Sequence, residues 1–477
     1  MSITRRTSFQ AAPVQAVTSQ NYLDIQNNGW AQQYLPDLME KEAEVYGKRT
    51  ISGFLSQVGA EEAMSADQVI WSEQGRLHLS YECDMLDVTA STINITKDID
   101  GVAQTTTHGI RVGDQVLIAG GGQTVTARVS VAAAGEQVIT VQPYRFAHMT
   151  NAGFANGDNT CTILVFGSEN AKGVAYVGGR SNEPSFTTFT NKPIILKDMY
   201  EVSGSDAAQV GWVEVSGEEG QNGYYWYLKA EGDTRARFTD YLEMSMIESE
   251  LVAAASAIAL PTDGGAGTAG TEGLFAAIRS RGNQTSGVTG TNPSTDFAEF
   301  DLILAEFDRN GAIEENMMFV NRGTSLAMDD MLASLNSGYS GGTSYGVFNN
   351  SEDMALNLGF SGFRRGSYDF YKSDWKYLND LATRGGINNS ATAGEDIRGV
   401  VIPAGTSSVY DQQLGKNLKR PFLHVRYRAS QLESRKMKTW VTGSVGAATS
   451  DLDAMTVNFL SERCLITQGA NNFMLMN

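Results

Sequence analysis

The fold is decided by residues 234–260, which read TRARFTDYLEMSMIESELVAAASAIAL. Apolar side chains recur there every three or four positions, as on one face of an α-helix. They are Tyr241, Met244, Ile247, Leu251, Ala255 and Ile258, and the opposite face carries Arg237, Asp240, Glu243, Glu248 and Glu250. Asp233 and Thr234 can cap the first amides, and Pro261 ends the pattern. The pattern predicts a helix of 27 residues, roughly 40 Å long, against which other layers pack.

Upstream of this helix, the chain divides into an arm, a helical segment and a long loop. Residues 1–34 are polar and predict an extended arm, and residues 35–64 predict one or two helices. From residue 65 the apolar pattern changes to a period of two, and a matching extended run occurs at Lys192–Gly204. If these runs pair, residues 65–204 form an extended two-stranded loop.

An insertion at residues 86–168 of this loop predicts a small β-domain. Five short extended runs, STINIT, DQVLIA, TVTARVSVA, EQVITVQPY and TCTILVFGS, are separated by turn-forming residues, as in a small barrel or sandwich. A nucleic-acid groove would need basic and aromatic residues interleaved. Between Ile110 and Ser168 the only basic residues are Arg111, Arg128 and Arg145, and the aromatic residues Tyr144 and Phe146 do not interleave with a basic run, so a protein-contact module is favoured.

Downstream, helix and strand patterns alternate and predict a mixed α+β domain at residues 262–400. Residues 205–261 and 401–460 are then assigned to a second domain that contains the long helix. The last segment, residues 461–477, ends on apolar side chains, which predicts that this tail is docked.

Composition places the chain among folded proteins made in a cytoplasm. Its 477 residues are 42% hydrophobic and 19% charged, and no apolar run is long enough to cross a bilayer or serve as a secretory signal. The net charge of −18 argues against tight phosphate binding. By our count from the sequence, residues 201–335 carry 22 acidic and 7 basic side chains, whereas residues 361–440 carry 7 and 14. The acidic and basic segments form either two solvated faces of one molecule, or an acidic face of one copy that meets a basic face of the next. In the second case Glu314 and Glu315 could contact Arg426, Arg428 or Arg435.

No catalytic, cofactor-binding or metal-ligating site is predicted. Cys83, Cys161 and Cys464 are scattered and suit buried thiols better than a disulfide framework or zinc site, and the four histidines are isolated. The glycines of residues 267–273 lack the spacing of a dinucleotide loop, and the segment from Asp308 lacks the glycine and glutamate of a calcium loop. Paired carboxylates, Asp329 with Asp330 and Asp451 with Asp453, are more typical of a solvated surface.

Four stretches carry a resemblance to a known family. Residues 35–81 resemble the segment that leads into the extended loop in capsid proteins of crAss-like phages. Residues 400–415, 421–446 and 451–475, which begin VVIPAG, PFLHVRYRAS and DLDAMTVNF, resemble the same group. The chain is therefore similar to major capsid proteins of tailed bacteriophages of the Hong Kong 97 type.

The resemblance implies an α+β Hong Kong 97-type fold and a structural, non-enzymatic role. In that fold residues 1–34 are the N-terminal arm and 65–204 the extended loop. The peripheral domain comprises 205–261 and 401–460, with 234–260 as its spine helix, and the axial domain comprises 262–400. The insertion at 86–168 departs from the simplest members.

The implied partners are other copies, as hexamers and pentamers of an icosahedral virion shell assembled in a bacterial cytoplasm. Portal, scaffold and decoration or head-fibre proteins are further expected partners. The shell encloses double-stranded DNA without sequence-specific binding, and no membrane or cofactor is implied. Two alternatives stay open: a nanocompartment shell of the same fold, and a β-rich surface adhesin, which would need a secretion signal.

Overall fold

The computed structural model describes most of the chain after residue 53. The described residues are 54–55, 60–75, 78–99, 101–104, 108–133, 136–158, 161–173, 186–205, 225–252, 270–337, 362–388, 396–404, 406–411, 416–444 and 449–477. Contacts divide the chain into two compact units, one of residues 71–189 and the other of the chain on either side. The predicted arm at 1–34 lies outside the described residues.

Strands dominate the described residues. They are β1 Ala60–Met64, β2 Val69–Gln74, β3 Ser80–Asp87, β4 Thr92–Asp98, β5 Asp114–Gly120, β6 Gln123–Ala132, β7 Val138–Pro143, β8 Cys161–Ser168, β9 Phe186–Asn191, β10 Ile194–Ser203, β11 Asn283–Thr285, β12 Glu315–Val320, β13 Gly362–Arg365, β14 Tyr368–Asp374, β15 Gly399–Pro403, β16 Thr406–Asp411, β17 Lys416–Pro421, β18 Leu423–Arg428, β19 Lys438–Gly443, β20 Ala454–Thr467 and β21 Met474–Met476. The α-helices are α1 Tyr225–Glu248, α2 Leu274–Arg281, α3 Pro293–Asn310, α4 Arg322–Ser337, α5 Lys376–Asn379 and α6 Arg384–Asn388. Short 3-10 turns occur at Met149–Ala152 and Ala470–Asn472.

The unit of residues 71–189 is built on a closed antiparallel barrel with strand order β3-β4-β7-β6-β5-β8. Alternate side chains point inward, so β6 buries Val125, Ala127 and Val129. The prediction found β4 to β8 and left barrel and sandwich open. It assigned the extended run of Leu77, Leu79 and Tyr81 to the loop, whereas β3 belongs to the barrel, which therefore begins at Ser80 and not at Leu86. A period of two shows that a segment is a strand but does not show which strand it pairs with.

The predicted pairing of the run after residue 65 with Lys192–Gly204 is wrong. β2 pairs with β9, and β10 pairs along its whole length with β20, so that Ile194 lies opposite Arg463 and Ser203 opposite Ala454. The long strand β20 buries most of its side chains, and pairing with it covers far more apolar surface than a loop ribbon could.

β20 is the centre of the first sheet of the other unit. The order is β1-β18-β20-β10, with β19 also paired to β20. Helix α1 packs on this sheet because Phe238 and Leu242 form one buried cluster with Val457 and Phe459. Burial of such side chains stabilises the layer by about 1.5–3 kcal/mol each.

The long helix lies earlier in the chain than predicted. α1 runs from Tyr225 to Glu248, and residues 249–252 are not helical. The end predicted at 253–260, with Pro261, lies outside the described residues. Thr234 does not cap the helix, because its hydroxyl donates to the carbonyl of Ala230 one turn earlier.

The buried face of α1 also differs from the predicted stripe. Thr234, Phe238, Leu242 and Met246 are buried at a strict spacing of four. Of the predicted stripe, Ile247 is buried as expected, whereas Tyr241 is 48% exposed. Glu243, predicted to face solvent, is buried and accepts a hydrogen bond from the amide of Leu55 at 2.9 Å. The large residue Phe238 sets the register of the helix on the sheet. The predicted stripe did not include Phe238, so it identified a face that only partly overlaps the buried one.

The segment predicted as helical at 35–64 ends in a strand. Phe54 and Leu55 are helical, but β1 pairs parallel with β18, with Ala60 opposite His424 and Met64 opposite Arg428. The sequence AEEAM favours a helix by propensity, and tertiary pairing at the sheet edge overrides this preference. Residues 35–53 lie outside the described residues.

A second sheet has the order β11-β21-β15-β12-β14-β13, and helices α3 and α4 pack against it. β15 spans residues 399–403, so the boundary predicted between 400 and 401 falls inside a strand. The apolar tail is docked as predicted, since Phe473, Met474, Leu475 and Met476 are all buried and β21 pairs with β11 and β15. Arg398 holds the tail end, with its Nε donating to the carbonyl of Asn477 at 2.9 Å.

Candidate assembly surfaces

A network of charged side chains joins β1, β18, β20 and the turn before β19. Its centre is Glu462 on β20, whose side chain is 6% exposed. Glu462 is 3.2 Å from Arg428 and 2.8 Å from Arg435. Around it, Arg426 pairs with Glu62 at 3.0 Å, and Arg428 also pairs with Asp67.

These pairings revise the predicted contacts between copies. Arg426, Arg428 and Arg435 were candidates for a basic face, but each is already paired with a carboxylate of its own chain. Glu314 and Glu315 are exposed, and the described residues place neither beside these arginines. The basic excess of residues 361–440 is therefore partly neutralised within the subunit, where it fixes β1 to β18.

We expect the variant Glu462→Gln to destabilise this sheet by about 1–3 kcal/mol, because two guanidinium groups lose their shared buried partner. Urea denaturation followed by circular dichroism measures the change. The matched control is Glu433→Gln, since Glu433 is 46% exposed in its pair with Lys438. Exposed ion pairs contribute little to stability, so this variant should cost clearly less than Glu462→Gln. Equal effects of the two variants would contradict a central role for Glu462.

The outer wall of the barrel carries an apolar strip on β8. Leu164 is 39% exposed and Phe166 is 52% exposed, and Leu117 of β5 lies directly opposite Leu164. On β6 the outward positions include Thr124 and Thr126, and Val131 is 54% exposed. Adjacent exposed apolar side chains, such as Leu164 and Phe166 on β8, are typical of a surface that contacts protein. Sequence analysis did not single out the strip, although the apolar run CTILVF leaves apolar residues on both faces of a strand.

Exposed apolar side chains also occur in the other unit. Ile195 and Met199 of β10 are 52% and 60% exposed on the face away from α1. Leu432 is 99% exposed at a turn whose shape is held by Ser430, which accepts from the amide of Glu433 at 3.1 Å. These positions were not predicted, because exposure of a single leucine depends on the turn around it.

Among the carboxylates considered for chemistry, Asp330, Asp451 and Asp453 are exposed as expected, whereas Asp329 and Asp308 hold structural contacts. Asp329 is not a solvated carboxylate as expected, because it is buried and paired with Lys372. Asp308 lies in the last turn of α3 and accepts a hydrogen bond from the hydroxyl of Tyr368 at 2.7 Å. This bond and burial raise the pKa of Tyr368 to about 12, burial being the larger cause. All three cysteines are buried free thiols, as predicted.

Within the described residues there is neither a metal-binding cluster nor a membrane-spanning helix. No group of three or more histidine, cysteine, aspartate or glutamate side chains there could hold a metal ion. None of the helices described is both long and apolar enough to cross a membrane.

Comparison with known proteins gives distant structural likenesses to phage capsid chains. No protein-family model matches the chain, and no curated protein matches it. Among solved structures, it is similar to a chain of the capsid of the cyanophage P-SCSP1u, with a TM-score of 0.40, 8% identity, and 94% of this chain and 93% of that chain covered. A chain of the mature capsid of bacteriophage PhiM1 gives a TM-score of 0.38, 9% identity and coverages of 93% and 92%. For a chain of Mycobacterium phage Ogopogo the TM-score is 0.40 and the identity is 9%, with 94% of this chain and 98% of that chain covered. The fold itself is mixed α+β.

Proposed function

We propose that the chain is a structural subunit of a self-assembling protein shell, without enzymatic activity. The observation that carries this proposal is the barrel inserted between β2 and β9, with an apolar strip on its outer wall. An apolar strip on an inserted barrel is stabilised when another protein covers it. Exposed apolar side chains on β10 and at Leu432 add further places where copies could meet.

More particularly, we propose the major capsid protein of a tailed bacteriophage, of the Hong Kong 97 type and similar to those of crAss-like phages. The support is the sequence resemblance of residues 35–81 and 400–475, together with elements that occur in a compatible order. In this proposal α1 is the spine helix, the sheet around β20 is the peripheral domain, and the sheet around β12 with α3 and α4 is the axial domain.

The proposed mechanism is assembly. Copies form hexamers and pentamers that close an icosahedral virion shell in the cytoplasm of a bacterial host, with portal, scaffold and decoration or head-fibre proteins as partners. The net charge of −18 supports a shell that encloses double-stranded DNA without gripping it, because repulsion between like charges keeps the phosphates free.

Electron microscopy of the expressed chain, alone and with the products of neighbouring genes, tests the proposal. We expect closed, uniform particles. Nuclease treatment then separates two kinds of shell, since a capsid from infected cells protects DNA whereas a nanocompartment protects enzymes. A chain that stays monomeric under every one of these conditions would reject the shell.

Excising the barrel tests its part in assembly. Val165 donates a backbone hydrogen bond to Leu79 at 3.0 Å, so the chain enters and leaves the barrel at neighbouring positions. Replacing residues 80–168 with a short glycine linker should therefore leave the other unit folded, because its core clusters contain no barrel residue. We expect particles that are missing, missized or less heat-stable, measured by microscopy and thermal scanning.

The control for the excision changes only the strip. Phe166→Ser should weaken particles in the same direction without altering the barrel interior, whereas Thr124→Ser, at an outward position of β6 opposite Ala119, should not. Particles of normal size and stability from the excised chain would show that the barrel has no role in assembly.

A further inference from the structure

Two of the three cysteines lie opposite each other on paired strands of the barrel. Cys83 of β3 and Cys161 of β8 are directly opposite in the antiparallel pairing, and each is 1% exposed. β3 and β8 are the first and last strands of the barrel along the chain, so their pairing is the seam that closes it. The third cysteine, Cys464, lies on β20 in the other unit, opposite Arg426.

The backbone places this pair within reach of a disulfide. Val165 donates to the carbonyl of Leu79 at 3.0 Å, which identifies 79 and 165 as a hydrogen-bonded pair. Pairs two and four residues along the seam are of the same kind, and Cys83 with Cys161 is one of them. In such pairs the Cα atoms are about 5.5 Å apart, inside the range of about 4.4–6.8 Å that disulfides span. Their Cβ atoms lie at the far end of about 4.5–5.5 Å, so bond formation must draw β3 and β8 together at this point until the Cβ atoms are about 3.5–4.5 Å apart.

The neighbouring strand leaves room for the sulfur of Cys161. A Cβ atom at Gly120 of β5 would lie 2.3 Å from that sulfur, so only glycine fits beside it. The Cys161 thiol now points towards the carbonyl of Asp158, at 3.7 Å. A rotation about the Cα–Cβ bond of Cys161 would turn the thiol from this side towards Cys83.

We propose that Cys83 and Cys161 form a cross-strand disulfide that locks the barrel seam when the chain meets a small-molecule disulfide such as oxidised glutathione. The thiolate of one cysteine attacks a glutathione sulfur and releases one glutathione thiolate. The second cysteine thiolate attacks the mixed disulfide and releases the other. Two cysteine protons end on two glutathione thiols, the cysteine pair loses two electrons, and one glutathione disulfide is reduced.

Burial controls when this exchange takes place. It raises the pKa of the Cys83 thiol to about 12, and it also raises the pKa of Cys161. At neutral pH both thiols of the closed barrel are therefore protonated and poor nucleophiles. Exchange proceeds while the chain folds or when the seam opens, and the closed bond then resists reopening. This inference does not depend on the proposed shell function.

To test this, the full chain is refolded in a buffer of reduced and oxidised glutathione, and the remaining thiols are alkylated under denaturing conditions. The mass of the product is then measured by mass spectrometry. We expect one alkylated thiol, a linked peptide pair that contains Cys83 and Cys161, and at least about tenfold slower hydrogen exchange of barrel amides than in the reduced chain. Cys464→Ala should still form the bond, and Cys83→Ser should form none.

Three alkylated thiols after refolding, in a chain whose barrel amides are protected from exchange, would overturn the proposal. A bond that involves Cys464 would overturn it as well. If the chain refolds poorly, a second experiment is used. The folded chain is incubated with oxidised glutathione for hours near the midpoint of its urea unfolding transition, where the seam opens. Loss of two thiols in this experiment supports the bond, and retention of all three rejects it.

Discussion

Replacing Asn191 with leucine is expected to lower the free energy of unfolding of its unit by about 3–5 kcal/mol, because several buried hydrogen bonds lose their partner at once. The side chain is 1% exposed at the end of β9. Its amide nitrogen donates to the carbonyls of Leu465, at 2.6 Å, and Glu272, at 3.0 Å. Its amide oxygen accepts from the amide of Glu272 and from the hydroxyl of Thr271, at 2.9 and 3.1 Å.

These bonds join three parts of the chain that are far apart in sequence. β9, the segment before α2 and β20 meet at this one amide, and leucine can replace its volume but none of its bonds. Urea denaturation followed by circular dichroism measures the loss. The control is Asn471→Leu, since Asn471 is exposed and its side chain donates one bond, to Asn310 at 3.1 Å. A loss below about 1 kcal/mol for Asn191→Leu would contradict its role as a junction.

The second large effect is expected at the buried pair of Lys372 and Asp329. Their side chains are 5% and 10% exposed between β14 and α4. Lys372→Met leaves the carboxylate of Asp329 buried without its ammonium partner, and we expect a loss of about 3–5 kcal/mol.

The double variant distinguishes the effect of breaking the ion pair from the effect of losing packed side-chain volume. Lys372→Met combined with Asp329→Leu should recover most of the stability, because the apolar pair leaves no charge unpaired. Denaturation of both single variants and the double variant gives the coupling between the sites. Arg309→Met is the matched control, since its pair with Glu306 is exposed and should cost less than about 1 kcal/mol. Simple addition of the two single losses would exclude a coupled pair.

Local patterns predicted individual elements well. The runs that predicted β4 to β8 differ from the observed strands by no more than two residues at either end, and β19 matches Lys438–Gly443. The alternation of side chains along a strand is a property of a few adjacent residues, which is why the sequence suffices for it. The same reasoning predicted the docked tail, because four successive apolar side chains are costly to leave in water.

Pairing could not be predicted in the same way. Nothing within β10 indicates that β20 is its partner, and nothing within AEEAM indicates a strand on the edge of β18. The burial of Glu243 and Asp329 was missed for a related reason. A carboxylate is buried only where a donor from elsewhere in the chain reaches it, and the amide of Leu55 and the ammonium of Lys372 are distant in sequence.

The sequence by itself determined that this is a mixed α+β chain with an inserted small β-domain, buried thiols and a docked apolar tail. Only the tertiary structure decided that the inserted domain is a barrel closed by β3, that β20 pairs with the distant strand β10 as well as with β18 and β19, and that the arginines of β18 are neutralised internally. The physical reason is range: periodicity reflects contacts a few residues apart, whereas strand partners and ion pairs depend on which distant surfaces bury the most apolar area together.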